Sequence, residues 1–347
     1  MERCIRLARC GEGNVSPNPM VGAVIVCDGR IIGEGYHWQY GGAHAEVNAV
    51  RAVADPALLS RSTLYVNLEP CSHYGKTPPC ANLIIEKKIP RVVIGCLDPF
   101  PEVAGRGVRL LEEAGVEVTV GVAEEEALRL NERFIWFHRS RSPYVIAKWA
   151  QSADGYMDKY RDSVAEPPVM LSTAATRRMV HKLRTETDAI LVGARTAVLD
   201  NPSLSARYWA GKSPVRLVID PHLQVPRDAA VYNGSVPTVI FTRKEAAPCA
   251  GVEFVPLAPG TDTVRQIKDF LYNRNLQTLL VEGGAATLKR FFESGVNEVR
   301  TEYTSKWLQS GVKAPGVPAE PVGTYPFGGS VIRVFKGNPL ITAEKRE

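Results

Sequence analysis

The stretch Ser62–Cys80 reads STLYVNLEPCSHYGKTPPC and joins a predicted strand to two cysteines. Its first residues, Ser62–Leu68, include threonine, tyrosine and valine, which predicts a strand whose end delivers Cys71. Two prolines precede Cys80, and a helical run, Ala81–Lys88, follows it. Cys80 is therefore predicted at a helix N-terminus, where free N–H groups and the helix dipole favour a thiolate.

A histidine and a glutamate further upstream complete a pattern typical of a catalytic metal. His44 and Glu46 follow Gly41-Gly42 at the predicted start of a helix. His44, Cys71 and Cys80 would supply three zinc ligands and leave one tetrahedral position for water, as at catalytic sites. Glu46 would then move protons to and from that water. The pattern is the H-x-E and paired-cysteine signature of zinc deaminases, although eight residues separate these cysteines instead of two.

Two other interpretations of these residues stay open. His44 would be an ordinary core histidine if Cys71 and Cys80 were incidental reduced thiols. A closed structural zinc site in an interaction module would need a fourth protein ligand, for which His73 is the nearby candidate.

The composition of the chain is that of a soluble globular protein. The 347 residues are 45% hydrophobic and 23% charged, and this length favours two domains. No apolar stretch approaches the ~20 residues that span a bilayer, and Met1–Arg9 predicts an amphipathic helix instead of a signal peptide. Seven cysteines without an export signal predict reduced thiols in the cytoplasm. The net charge of +5 is not clustered, so it does not indicate a nucleic-acid surface.

The first half alternates strands with helices, which predicts a layered α/β domain. Asp28-Gly29 between two apolar runs predicts a hairpin turn. The polar stretch Arg139–Pro143 predicts a linker, with domains at residues 1–141 and 142–347. The predicted strands are Val21–Cys27, Arg30–Tyr36, Ser62–Leu68, Arg91–Cys96 and Val116–Val120, and the predicted helices are Met1–Arg9, Ala45–Ala54, Ala81–Lys88, Val103–Glu113 and Glu124–His138.

The second half is again predicted to be α/β. After Trp307 the chain is rich in glycine and proline, and its pattern indicates only one further strand. The predicted strands are Tyr144–Trp149, Ala189–Val192, Val215–Ile219, Val236–Phe241, Thr278–Val281 and Ser330–Phe335, and the clearest predicted helices are Thr173–Arg184, Thr263–Asn273 and Ala286–Glu293.

Two strand ends in the second half are typical of a nucleotide site. Val281-Glu282-Gly283-Gly284 ends a buried strand before a helix, where backbone N–H groups can approach a phosphate. Leu191–Pro202 repeats this pattern and places Thr196 and Asp200 near a strand end. Three cations lie near such edges: Lys148, Arg184 and Arg207. Arginine suits bidentate phosphate binding, although structural turns and solvated cations would give the same pattern. The G-x-G-x-x-G sequence of an ordinary Rossmann domain is absent.

Together these residues resemble the bifunctional enzymes of riboflavin biosynthesis, which join a diaminohydroxyphosphoribosylaminopyrimidine deaminase to a 5-amino-6-(5-phosphoribosylamino)uracil reductase. The resemblance covers most of the chain and includes the long cysteine spacing. It implies a cytidine-deaminase-like α/β/α sandwich followed by a dihydrofolate-reductase-like α/β domain. The matching segments are Ser16–Pro19, His44–Glu46, Pro70–Cys80 and Ala104–Gly107 in the first half, and Ser152–Gly155, His181–Arg184, Asp188–Asn201 and Val281–Gly284 in the second.

The resemblance also implies cofactors, ligands and site residues. Zinc would be held by His44, Cys71 and Cys80, with Glu46 as the catalytic proton shuttle, and NADPH would bind the second domain. The ligands would be phosphorylated pyrimidines, with no nucleic-acid or membrane partner, and the enzyme would be a homodimer or homotetramer. The implied substrate contacts are Asn18, His73, Lys76, Asp98, Arg184, Leu204, Arg207 and Glu282, and the implied cofactor contacts are Lys148, Ala150, Met170, Thr196, Asp200, Gly283 and Gly284.

Two segments depart from the family pattern. The family's Asp-Pro-Asn-Pro is here Asp98-Pro99-Phe100-Pro101, and its Ser-x-Trp-Ile-Thr is here Pro168–Ser172. The second departure leaves open a deaminase joined to a degenerate reductase. A tRNA-editing deaminase is a further alternative, but it would normally combine Pro-Cys-x-x-Cys with a basic surface.

Overall fold

The computed structural model describes residues 1–72, 78–99 and 104–340. The chain divides into two compact units, of which the first is Met1–Arg141 and the second begins at Ser142. Strands alternate with helices in both units, so the predicted α/β class is confirmed. Within the described ranges, no helix has the length and apolar character needed to cross a membrane.

The first unit is built on a five-stranded sheet. Its elements are α1 (Glu2–Arg9), β1 (Gly22–Cys27), β2 (Arg30–Tyr36), α2 (Ala45–Arg51), a 3-10 helix (Pro56–Arg61), β3 (Thr63–Leu68), α3 (Cys80–Glu86), β4 (Arg91–Cys96), α4 (Arg106–Glu113), β5 (Glu117–Val120), α5 (Glu124–Leu130) and α6 (Glu132–Ser140). The strand order is β2-β1-β3-β4-β5, and β3, β4 and β5 are parallel. The β1–β2 hairpin turns at Asp28 and Gly29, whose φ angles of 50° and 73° are those of the predicted turn.

Helices cover both faces of this sheet. On one face, α2, α3 and α4 bury Ala49, Ile84 and Leu111 in a single core cluster with the strands. On the other face, α1 approaches β1 so closely that a Cβ on Gly22 would lie 2.1 Å from the carbonyl oxygen of Cys4. A Cβ on Gly95 of β4 would lie 3.0 Å from Ala127 of α5, so these glycines permit the close packing.

The helix predicted over Glu124–His138 is wrong as a single element, because the chain breaks at Asn131 into α5 and α6. Asn131 is buried and has φ −105° and ψ 22°. Its side chain accepts a hydrogen bond from the Met20 N–H at 2.8 Å and donates one to the Met20 carbonyl at 2.9 Å. These bonds satisfy the backbone just before β1, and Asn131 is the one residue that leaves the helical pattern between α5 and α6.

The second unit contains a nine-stranded sheet and a two-stranded sheet. Its elements are β6 (Tyr144–Gln151), β7 (Tyr156–Asp158), α7 (Ala174–Thr185), β8 (Ala189–Gly193), α8 (Ala194–Asp200), β9 (Val215–Ile219), a 3-10 helix (Ala230–Tyr232), β10 (Thr238–Thr242), β11 (Val252–Pro256), α9 (Thr263–Asn273), β12 (Thr278–Val281), α10 (Ala285–Glu293), β13 (Val296–Tyr303), β14 (Val312–Lys313), β15 (Gly323–Phe327) and β16 (Ser330–Leu340). The larger sheet has the order β11-β10-β9-β8-β12-β6-β13-β16-β15, and its last three strands are antiparallel.

The parallel part of this sheet places the predicted nucleotide residues at one edge. Strand β12 lies between β8 and β6, with Val281 opposite Leu191 on one side and Ala147 on the other. Residues that follow these positions therefore meet at the carboxyl edge, where open α/β sheets bind ligands. Gly193 ends β8 and is followed directly by α8, so Thr196 and Asp200 lie on a helix.

Candidate active sites

Three side chains converge in the first unit. His44 is the N-cap residue of α2, Cys80 is the first residue of α3, and Cys71 follows β3. The His44 Nδ1 atom lies 3.5 Å from the Cys71 Sγ and 3.3 Å from the Cys80 Sγ. Ligands of one tetrahedral zinc ion are about 3.5 Å apart, given Zn–N and Zn–S bonds of about 2.0 and 2.3 Å. The donor set therefore fits zinc, and it is the only such cluster found among the residues described.

Backbone groups prepare the two cysteines for this role. The Cys80 N–H donates to the Cys71 Sγ at 3.3 Å, and the Ala81 N–H donates to the Cys71 carbonyl at 3.2 Å. A hydrogen bond from the Cys80 side chain, aided by His44, lowers the pKa of Cys71 to about 4. The start of α3 thus stabilises a thiolate at Cys71. The sequence predicted the thiolate at Cys80 instead, and there the hydrogen bond with Cys71, together with burial, raises the pKa of the thiol.

Glu46 lies in the first turn of α2 and is buried, with 3% of its surface exposed. Burial raises the pKa of its carboxyl group to about 7, and the nearby Cys71 adds to this rise. The Glu46 carboxyl group also forms a hydrogen bond with the Cys80 side chain, so it lies beside the three donors. A carboxyl group in this position can accept and return a proton.

His37 is a site residue that the sequence analysis missed. Its Nδ1 bonds the Ala43 carbonyl at 3.0 Å, and its Nε2 lies 3.0 Å from the Asn18 amide nitrogen. Because Nδ1 must donate to a carbonyl, Nε2 accepts from Asn18, which leaves the Asn18 oxygen available for a ligand. Burial lowers the pKa of His37 and favours this neutral form. A histidine directly after a predicted strand end, seven residues before His44, was the available signal.

The remaining predicted substrate residues of this unit are only partly visible. Asp98 follows β4 and donates its backbone N–H to the Glu69 carboxylate at 3.1 Å. His73 and Lys76 lie outside the described residues. His73 is also the candidate fourth ligand of a closed zinc site.

Four predicted substrate residues of the second unit come together. Arg184 forms a bidentate pair with Glu282, with Nε–Oε1 and Nη2–Oε2 distances of 3.2 and 2.7 Å. Its Nη1 donates to the Ser205 carbonyl at 2.9 Å and so fixes the loop that carries Leu204 and Arg207. Leu204 is buried and has a left-handed φ of 52°.

His181 belongs to this group and was not assigned a role from the sequence. It precedes Arg184 by three residues on α7, a spacing that places both on one face of the helix. Its Nδ1 accepts the Tyr208 N–H at 3.4 Å, and its ring contacts the Tyr208 ring with centroids 4.6 Å apart. Burial, together with the positive charges of Arg184 and Arg207, lowers the pKa of His181 to about 4.

The predicted cofactor residues fall into two groups. At the carboxyl edge, the Gly284 N–H donates to the Thr196 Oγ1 at 3.0 Å, and a Cβ on Gly283 would lie 2.8 Å from Thr287. The two glycines therefore permit the Thr196 and Thr287 side chains to pack closely against the start of α10. Lys148 acts electrostatically on Glu282 at this edge, and Ala150 follows it on β6.

Asp200 and Met170 have other contacts. The Asp200 carboxylate pairs with Arg161, a buried residue that also bonds Asp158 at 2.7 Å and that the sequence did not single out. The Met170 carbonyl accepts a hydrogen bond from Lys306, and the Met170 side chain is exposed. Asp200 lies four residues after Thr196 on α8 and therefore on the same face of that helix.

A three-donor zinc site with a buried carboxylate, followed by a reductase-type sheet edge, defines a protein that combines a deaminase with a reductase. Residues 1–96 match the family described as cytidine and deoxycytidylate deaminase zinc-binding region, and residues 143–308 match the RibD C-terminal domain. Riboflavin biosynthesis protein RibD of Aquifex aeolicus is 41% identical over 302 residues, which cover 85% of this chain and 83% of the relative. RibD of Bacillus amyloliquefaciens is 41% identical over 326 residues, covering 91% and 86%.

The solved structures agree. The crystal structure of a diaminohydroxyphosphoribosylaminopyrimidine deaminase/5-amino-6-(5-phosphoribosylamino)uracil reductase from Thermotoga maritima has a TM-score of 0.87 and 36% identity, with 97% of both chains covered. The chain belongs to the RibD family of riboflavin biosynthesis proteins. It is a bifunctional deaminase and reductase that acts on small pyrimidines, with zinc and NADPH as cofactors. A tRNA-editing deaminase does not account for a match of this length.

Proposed function

We propose that the first domain, residues 1–141, deaminates 2,5-diamino-6-(5-phosphoribosylamino)pyrimidin-4-one. We further propose that the second domain, residues 142–347, reduces the ribose of 5-amino-6-(5-phosphoribosylamino)uracil to ribityl with NADPH. The observation that carries the first step is the convergence of His44, Cys71 and Cys80 beside a buried Glu46.

In the deaminase, His44, Cys71 and Cys80 would hold zinc, which when bound lowers the pKa of a water molecule toward neutrality. Glu46 accepts the proton of the attacking water. It returns protons to the ring nitrogen and to the departing amine, so that water and the C–NH₂ group become a carbonyl and ammonia. General acid–base catalysis of this kind usually contributes about 10²–10⁴-fold.

Asn18 and Asp98 would orient the pyrimidine in the deaminase. The Asn18 oxygen is free to accept from an amino group because the His37 Nε2 takes the amide N–H. Asp98, at the end of β4, offers a carboxylate to the polar edge of the ring. His73 and Lys76 are proposed to hold the ring or the phosphoribosyl group.

In the reductase, NADPH supplies the hydride to C1′ of the opened ribose, and the protein supplies orientation. Arg207 and the backbone of Leu204 would bind the substrate phosphate, on a loop that Arg184 fixes through Ser205. Glu282 would accept hydrogen bonds from the ribose. The proposed cofactor contacts are Lys148, Ala150, Met170, Thr196, Asp200, Gly283 and Gly284.

The cellular setting is also a proposal. All seven cysteines are free thiols in the structure, which supports a reducing compartment and hence the cytoplasm. The dispersed charge supports small phosphorylated ligands over nucleic acid, and membrane partners are not expected. A homodimer or homotetramer is proposed from the family resemblance.

Glu46→Gln tests the deaminase assignment. The variant should keep one zinc per chain and lose ammonia release by at least about 10²-fold, because the amide cannot accept the water proton. The rate at which the variant reduces the deaminated substrate, measured as NADPH oxidation, should equal the wild-type rate. This reductase activity serves as the internal control. Ammonia release at the wild-type rate would exclude Glu46 as the proton shuttle.

A further inference from the structure

Glu69 is a buried carboxylate whose role the deaminase mechanism leaves unassigned. It lies between the end of β3 and the Pro70-Cys71 pair, and only 6% of its surface is exposed. No ion pair involving Glu69 is found among the described residues. A buried charge without a counter-ion is stable only where hydrogen bonds compensate for the lost water.

Four backbone N–H groups supply that compensation. Oε1 accepts from Gly107 at 2.8 Å and from Val108 at 3.4 Å. Oε2 accepts from Gly105 at 2.9 Å and from Asp98 at 3.1 Å. The carboxylate therefore holds both ends of the connection between β4 and α4: Asp98, the second residue after β4, and the first turn of α4.

The local sequence is arranged for this contact. Gly105 is the N-cap residue of α4 and has φ 76°, a left-handed conformation that turns its N–H toward Glu69. A Cβ on Gly107 would lie 2.2 Å from the Pro70 carbonyl and 3.1 Å from the Glu69 Oε1, so only glycine permits this approach. The positive end of the α4 dipole adds to the stabilisation of the carboxylate.

The contact links two parts of the deaminase site. One end of the held connection is Asp98, the proposed pyrimidine contact, and the other presses against the carbonyl of Pro70, the residue before the metal ligand Cys71. We propose that Glu69 is a positioning residue that fixes Asp98 relative to the metal centre through this group of four N–H donors. The proposal rests on the proposed function, because it takes Asp98 to contact the substrate.

Glu69→Gln is the first test, because it keeps the size of the side chain and replaces one acceptor oxygen by an NH₂ group that faces N–H donors. The variant should keep zinc and raise the deaminase KM about tenfold, with kcat within about threefold. Amide hydrogen exchange should become faster at Asp98, Gly105 and Gly107. Glu117→Gln is the matched control, since Glu117 is 68% exposed and pairs with Arg91 on the surface of the same domain.

A double variant separates positioning from general support of the fold. If Glu69 acts through Asp98, then Glu69→Gln should change KM less than about twofold in an Asp98→Ala background. A further tenfold rise in that background would overturn the proposal. So would a Glu69→Gln variant that has wild-type KM and exchange rates, loses zinc, or loses kcat alone.

The outcomes also distinguish this proposal from the proposed function. A wild-type KM for Asp98→Ala would exclude Asp98 as a substrate contact, which contradicts the proposed function. If Asp98→Ala raises KM and Glu69→Gln does not, Asp98 stays a substrate contact and only the positioning role of Glu69 is excluded. Should Glu69→Gln not fold, Gly107→Ala probes the same contact, because its Cβ must displace α4 from Pro70. It should raise KM about tenfold, and an unchanged KM overturns the proposal.

Discussion

The substitution Glu282→Gln tests how much burial strengthens the ion pair between Arg184 and Glu282, measured as stability against thermal unfolding. The side chains of Arg184 and Glu282 are 12% and 13% exposed and are joined by two charge-assisted hydrogen bonds. Glutamine keeps one acceptor and turns an NH₂ group toward the guanidinium, which leaves a buried cation half-paired. We expect a loss of about 3 kcal/mol, or about 6–12 °C in the midpoint of thermal unfolding of a domain of this size.

Glu253→Gln provides the matched control in the same domain. Glu253 pairs with Arg274 at 2.6 Å, but these side chains are 41% and 50% exposed. An exposed pair contributes at most about 1 kcal/mol, so its loss should lower the midpoint by no more than about 4 °C. Calorimetry of the full chain provides the measurement, and the transition of the first domain should not move in either variant. Equal shifts for the two variants would refute the argument that burial strengthens the Arg184–Glu282 pair.

Two further predictions concern Arg207 and His181, which packs against Tyr208 on the loop that carries Arg207. Arg207→Ala should raise the KM for the reductase substrate by about 10–100-fold, because one charged phosphate contact is lost. Steady-state kinetics with Arg207→Lys as the partial-rescue control checks this, and an unchanged KM would remove Arg207 from the phosphate site. His181 has a pKa of about 4 in the folded chain against 6.5 unfolded, so falling pH protonates the unfolded chain first. The contribution of neutral His181 to the free energy of unfolding is therefore complete above pH 6.5 and is lost as the pH falls toward 4. At pH 5 the loss is about 2 kcal/mol. The free energy of unfolding, measured with urea at pH 7 and at pH 5, should therefore fall more for the wild type than for His181→Gln. Equal falls for the two proteins would contradict the assignment.

Elements with a strong local pattern could be predicted from the sequence. The strands Arg30–Tyr36, Arg91–Cys96, Val215–Ile219 and Thr278–Val281 and the helix Thr263–Asn273 have the predicted bounds. In each of them the apolar pattern of the sequence ends where the structural element ends. The break at Asn131 could not be predicted, because its cause is a pair of hydrogen bonds to Met20, 111 positions away.

Strand β13 shows a second limit of sequence patterns. It is paired on both sides in the large sheet, yet Glu298, Arg300 and Glu302 alternate along it and indicate an exposed segment. In the structure Glu298 pairs with Arg300 and accepts from the Tyr144 hydroxyl at 3.2 Å. Arg300 lies on β13 itself, whereas Tyr144 lies on β6, and composition alone does not reveal such a partner or the burial of Glu298.

The candidate sites divide in the same way. The zinc donors are found from the sequence because their residue types are rare and their chemistry is specific. His37, Glu69 and Arg161 act through other residues. A single glutamate or arginine in a loop carries no such signature, and His37 offered only its position directly after a predicted strand. Their roles follow only from distances to Asn18, to backbone N–H groups and to Asp200.

The departure at Pro168–Ser172 bears on whether the second domain is degenerate. The segment is tied down at three points: the Val169 N–H donates to Asp158 at 2.9 Å, Lys306 bonds the Met170 carbonyl, and the Ser172 hydroxyl donates to Glu302 at 2.6 Å. A buried ion pair contributes little net stability compared with apolar residues of similar size. Removal of one partner alone is nevertheless strongly destabilising, because it leaves an uncompensated buried charge. The altered segment is therefore held by three hydrogen bonds within the second domain, and the match to the RibD C-terminal domain identifies that domain as a reductase.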